Sequence, residues 1–149
     1  MKVSEFCTRS VIIASRNTPV QEAALRMRGR HSGTIIIVDE ADGRNMPAGV
    51  ITDRDIAIEV VAAGLNYADL TVGDLISGPV TTARETDGVF EVIQLMQAAG
   101  VRRLPIVDSA GSLAGIIALD DIIELLAEEL GNVVTLLRQE RRNEIEMRV

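Results

Sequence analysis

The chain repeats itself, and that constrains its fold more than any other feature. Set against itself at a shift of 69 residues, Val3 to Asp39 falls on Val72 to Asp108. Val3 meets Val72, Val11 meets Val80, Ala14 meets Ala83, Val20 meets Val89, Glu22 meets Glu91, Met27 meets Met96, Ile37 meets Ile106, Val38 meets Val107 and Asp39 meets Asp108. The first copy then carries a longer turn, nine residues from Asp39 to Gly49 against six from Asp108 to Gly115. Register resumes at a shift of 66, where Gly49-Val50-Ile51-Thr52-Asp53-Arg54-Asp55-Ile56 lies on Gly115-Ile116-Ile117-Ala118-Leu119-Asp120-Asp121-Ile122, four of the eight identical. A tandem duplication of this size predicts two copies of one supersecondary unit, packed together about a pseudo-two-fold axis.

Periodicity gives the unit. Val20, Ala23, Ala24 and Met27, and again Val89, Val92, Ile93 and Met96, recur at helical spacing after a short apolar run. Next come a β-branched run (Thr34 to Val38, or Leu104 to Val107), a turn with Asp42-Gly43 or Gly111, a second apolar run ending at Thr52 or Ala118, and a further helix. Each copy therefore reads strand, helix, strand, strand, helix, the last two strands joined tightly enough for an antiparallel hairpin. The expected fold is α/β (α+β), with one repeat over residues 1–66, a second over 67–130 and a C-terminal helical tail over 131–149.

Composition narrows the chemistry. Hydrophobic residues make up 47% and aromatics 2%, so the core must be aliphatic. The longest stretch without a charged residue, Ser109 to Leu119, is too short for a membrane helix, which needs about 18 apolar residues. The run Val11 to Ala14 is too short for a secretory leader, so a cytoplasmic protein with no membrane partner is expected. One cysteine, Cys7, and one histidine, His31, allow neither a disulfide framework nor a zinc site, and no carboxylate spacing suits a metal loop; no metal site is assigned. Cys7 reads as a small buried residue and His31 as a polar helix end, neither with a role. With 22 acidic against 15 basic residues, a net charge of -7 and few rings on which bases could stack, a nucleic-acid partner is not expected.

A repeat of this size and order, carrying Gly49-Val50-Ile51-Thr52-Asp53-Arg54-Asp55-Ile56 and Arg102-Arg103-Leu104-Pro105-Ile106-Val107-Asp108, resembles the CBS domain, named for cystathionine beta-synthase. Such domains occur in pairs, and a tandem pair is a Bateman module. The resemblance spans Val3 to Leu130 and implies a ligand-sensing regulatory module, not an enzyme, with an adenosyl ligand in the cleft between repeats. Adenine nucleotides (AMP, ADP or ATP) lead as the regulatory ligand, with S-adenosylmethionine or a nicotinamide nucleotide behind; no cofactor is required and no catalytic residue is assigned. A structural subunit with vestigial sites is the alternative.

Thr52 and Asp55, spaced Thr-x-x-Asp at a strand-to-helix junction, make a capping box from local pattern alone. The resemblance adds a ligand role: Asp55 holding ribose hydroxyls, Thr52 contacting ribose or phosphate. In the second copy Ala118 replaces the hydroxyl and Asp120 stands where the first has Arg54, while Asp121 retains the ribose position. Arg102 and Arg103 lie where the gamma subunit of AMP-activated protein kinase carries phosphate-binding basic residues; their first-copy counterparts, Gly33 and Thr34, are neutral. Ile12 and Thr81 match the first-strand position that lines the purine pocket in the family, although core packing alone accounts for Ile12.

In the tail, Ile123, Leu126, Leu130, Val133 and Leu137 repeat at 3, 4, 3, 4, the spacing of helices packed along one another, with Gly131-Asn132 weakening the middle. A homodimer is expected to cover this seam, and a further target protein is not identifiable from sequence.

Overall fold

The computed structural model describes residues 1–148. The elements are β1 (Ile13–Ala14), α1 (Val20–Arg30), β2 (Thr34–Ala41), β3 (Arg44–Thr52), α2 (Asp53–Ile56, continued by a π-helical turn over Ala57–Ala62), β4 (Ala83–Arg84), α3 (Val89–Ala99), β5 (Arg103–Val107), β6 (Leu113–Ala118) and α4 (Leu119–Met147). They form two three-stranded sheets, β1-β2-β3 and β4-β5-β6, each with a parallel and then an antiparallel pairing. The expected unit is present twice. Even the β-bulges coincide, between Ile37 and Val38 and between Ile106 and Val107.

Turn chemistry explains the unequal hairpins. Asp42 and Gly43 both adopt positive φ, 53° and 74°, which a two-residue type I′ turn requires. In the second copy the Asp108 carboxylate instead accepts the N–H groups of Ala110 and Ser112, each at 2.9 Å, and Gly111 supplies the positive φ. Helix ends differ for an equally local reason. Glu91 accepts the Gly88 N–H at 2.9 Å, whereas Glu22 faces Pro19, which has no N–H to give, and pairs with Arg26 instead.

Two aliphatic cores result, and they interlock. Ile35, Ile37, Ile51, Ala23 and Met27 form one, and Leu104, Ile106, Ile117, Ile122 and Val92 the other. Val3, fully buried, belongs to the second core, and its counterpart Val72, also fully buried, belongs to the first. The backbone follows the same exchange: Val3 N–H donates to Asp87 at 2.8 Å and Val72 N–H to Thr18 at 2.9 Å, partners that are themselves 69 positions apart. The two halves as packed thus differ from the two halves as read in order along the chain.

α4 runs unbroken through Gly131-Asn132, and every described residue from Leu126 onward is exposed. No helix among the described residues is long and apolar enough to cross a membrane.

Candidate functional site

Two cavities lie between the copies. The first, 570 Å³, is lined by Val50, Thr52, Arg54 and Asp55 from the first repeat and by Ile76, Thr81, Arg102 and Arg103 from the chain beyond it. The second, 620 Å³, is lined by Ile12, Gly33, Thr34, Arg103, Ala118 and Asp121. All eleven residues singled out above fall on one wall or the other, and Arg103 touches both.

At the first cavity the capping box is fully formed. Thr52 N–H donates to Asp55 Oδ2 at 2.8 Å, and Asp55 N–H donates to the Thr52 hydroxyl at 3.2 Å. This uses one carboxylate oxygen and leaves Oδ1 with no protein partner among the described residues, so the cap and an unused acceptor coexist in one side chain. At the second, Asp121 Oδ2 accepts the Ala118 N–H at 2.9 Å, but Ala118 has no hydroxyl to return the bond. Arg54 from one copy and Arg102 with Arg103 from the other converge on the first cavity. Arg102 also lies 3.7 Å from Asp120, an exposed pair of little energetic weight.

Ile12 and Thr81 were expected on the first strand of each copy. They instead precede β1 and β4, whose two-residue length leaves these positions on the connecting segment. Ile12 is buried in the first core as well as lining the second cavity, so its packing and its position on a wall are both real. Thr81 faces the first cavity.

Sequence reasoning missed three wall features. Arg30 and His31 line the second cavity, His31 ending α1 in the left-handed conformation at φ 51° that Gly100 takes after α3. The segment Ile76 to Val80 lines the first. The signal was available, since the repeat register maps one lining onto the other: Ser77 on Thr8, Val80 on Val11, Val101 on Ser32, Val50 on Ile116.

The third feature is main chain. Ile36 N–H donates across to Ile12, so in the Ile36/Val50 pair the two residues do not bond each other, and the Val50 N–H and C=O point away from β2. At the equivalent position Ile116 exchanges two 2.9 Å bonds with Thr8, which zips the N-terminal segment onto β6. Val50 has no such partner among the described residues, and it lines the first cavity. Gly49 permits the approach of the apolar wall: a Cβ there would meet the Ile76 side chain at 2.7 Å.

Comparison with known proteins agrees with the two-copy fold. The CBS domain profile matches residues 3–62 and again 72–128. An uncharacterized protein of Methanopyrus kandleri is 40% identical over 125 residues, 84% of this chain and 62% of that protein, so the chain spans less than two thirds of this relative. The CBS domain-containing protein YhcV of Bacillus subtilis is 32% identical over 135 residues, covering 89% of this chain and 92% of YhcV. Among solved structures, the CBS domain pair of protein MJ0100, crystallised with 5′-methylthioadenosine and S-adenosyl-L-methionine, superimposes with a TM-score of 0.72 at 27% identity, over 85% of this chain and 99% of that one.

Proposed function

The chain belongs to the CBS-domain family as a tandem pair, and from that premise we propose that it is a non-enzymatic regulatory module whose first cavity binds an adenosyl ligand, with AMP, ADP or ATP leading. One observation carries the reading: Asp55, the three arginines Arg54, Arg102 and Arg103, and Val50 with its main-chain N–H and C=O unpaired among the described residues all line a single 570 Å³ cavity, a volume typical of small-molecule sites. Asp55 Oδ1 accepts the ribose hydroxyls, Val50 N–H and C=O pair with the purine edge, Ile76 and Val80 flank the ring, and Arg54, Arg102 and Arg103 face the phosphates. S-adenosylmethionine, which MJ0100 was crystallised with, and a nicotinamide nucleotide share the adenosine half and rank next. A non-catalytic role is supported by the family match, in which the two CBS domains cover residues 3–62 and 72–128.

We read the protein as a cytoplasmic homodimer that changes shape or association with ligand. Thermal-shift screening against adenosyl compounds tests the function: a ligand at 100 times its dissociation constant adds about 2.7 kcal/mol of stability. No shift with any adenosyl compound at millimolar concentration would leave the structural-subunit reading, which the missing hydroxyl at Ala118 favours for the second cavity.

A further inference from the structure

We propose that α4 pairs antiparallel with α4 of a second copy, each tail lying back along the partner's Leu119 to Leu130 segment. This rests on the homodimer reading above and adds to it an interface and an orientation.

At about 1.5 Å per residue the 29 residues of α4 span about 43 Å. Only Ile122 is buried, and the side chains from Leu126 outward stand clear of the body. Ile123, Leu126, Leu130, Val133 and Leu137 are 44–65% exposed and keep their 3, 4, 3, 4 spacing on a continuous helix. A solitary helix is marginal in water even when its sequence favours it, and this one contains Gly131. Gly131, Asn132 and Thr135 fall outside the seam, so it is continuous across the sequence's weakest point.

Charge selects the occupant and its direction. Between Leu119 and Gly131 the helix carries Asp120, Asp121, Glu124, Glu128 and Glu129 with no basic residue; from Arg138 to Arg148 it carries four arginines and three glutamates. Continuing the seam spacing past Leu137 reaches Glu140 and Glu144. Parallel pairing would stack each of these carboxylates on its own copy and set the two five-fold acidic segments side by side. Antiparallel pairing makes the apolar layers Leu126 against the partner's Leu137 and Leu130 against the partner's Val133. It faces Glu140 with the partner's Ile123 and brings Arg141 beside the partner's Asp120, so each basic end lies along the other's acidic start.

Site-specific crosslinking tests it in the full chain, with Cys7→Ser removing the single native cysteine. Leu126→Cys and Leu137→Cys are placed on separate chains, both at exposed positions outside the two cores. In the antiparallel layer they are opposite each other, while either residue lies about 16 Å along the axis from its own copy, beyond disulfide reach. Mild oxidation is expected to crosslink the mixture and neither variant alone. A Leu126→Cys chain that crosslinks with itself overturns the orientation in favour of parallel pairing. A dimer in sedimentation whose mixture does not crosslink overturns the α4 interface and leaves the homodimer. A species of 16.1 kDa at micromolar concentration overturns both.

Discussion

The Asp55 carboxylate receives the Thr52 N–H at 2.8 Å, and the Thr52 hydroxyl receives the Asp55 N–H at 3.2 Å. The same two residues cap α2 and border the first cavity. Mutation at either site therefore has two readouts, and the pair of variants Asp55→Ala and Asp55→Asn separates them. Asp55→Ala removes the carboxylate that accepts the Thr52 N–H, half of the capping box, and costs about 0.5–1.5 kcal/mol of stability. Both variants lose the charged acceptor for the ribose, worth about 1.5–3 kcal/mol, so both weaken adenine-nucleotide binding by roughly tenfold to a hundredfold in titration calorimetry. Unchanged affinity in folded Asp55→Asn would reduce Asp55 to a cap.

The outward groups of Val50 predict discrimination between purines. A main-chain N–H donates to adenine's ring nitrogen while the C=O beside it accepts from the exocyclic amine; hypoxanthine presents the opposite pair, a carbonyl toward the C=O and an N–H toward the N–H. Inosine nucleotides should bind about tenfold to a hundredfold more weakly than adenosine nucleotides of equal phosphate number. Equal thermal shifts for the two would place the base elsewhere.

One tight site per chain is expected. Arg54, Arg102 and Arg103 border the first cavity; the second shares Arg103 and adds Arg30, but has Gly33 and Thr34 at the positions matching the arginine pair, Ala118 in place of Thr52, and a β6 edge closed by Thr8. Calorimetry should give one tight equivalent that Asp55→Ala weakens and Asp121→Ala leaves intact; the reverse pattern would assign the wrong cavity.

The exchanged segment makes the N-terminus part of the second core. Val3→Ala removes about two buried methylene equivalents, costing about 2 kcal/mol with its cavity, or a fall in Tm of about 4–8 °C. Were the N-terminal turn a loose appendage, calorimetric melting of the variant would match the parent.

Arg16 holds the Asp39 carboxyl below its ordinary value of 3.8 through side-chain hydrogen bonds, the shorter at 2.8 Å. A depressed folded pKa contributes stability that is fully present above the unfolded pKa and is lost as pH falls through the folded one. Asp39→Asn should therefore be less stable than the parent at neutral pH, with the gap closing below about pH 4 in urea titrations. A constant gap down to pH 2 would mean the pair acts by packing instead.

Several features were determined by sequence alone because they depend on neighbours a few residues apart. The duplication set two like units; helical and β periods set their element order; Thr52-x-x-Asp55 set a cap; Asp42-Gly43 set a tight turn. Contacts between the copies were decided only by tertiary packing. Two near-equal units offer matching apolar faces, so pattern alone leaves Val3 and Val72 equally suited to either core, and Arg102 with Arg103 equally suited to either cavity. The folded chain places Val3 in the second core and Val72 in the first, and turns Arg102 to the first cavity. The open Val50 edge was beyond sequence for a related reason. Whether a strand's outward N–H and C=O meet Thr8, as at Ile116, or a cavity depends on where a segment more than a hundred residues away in the chain comes to rest.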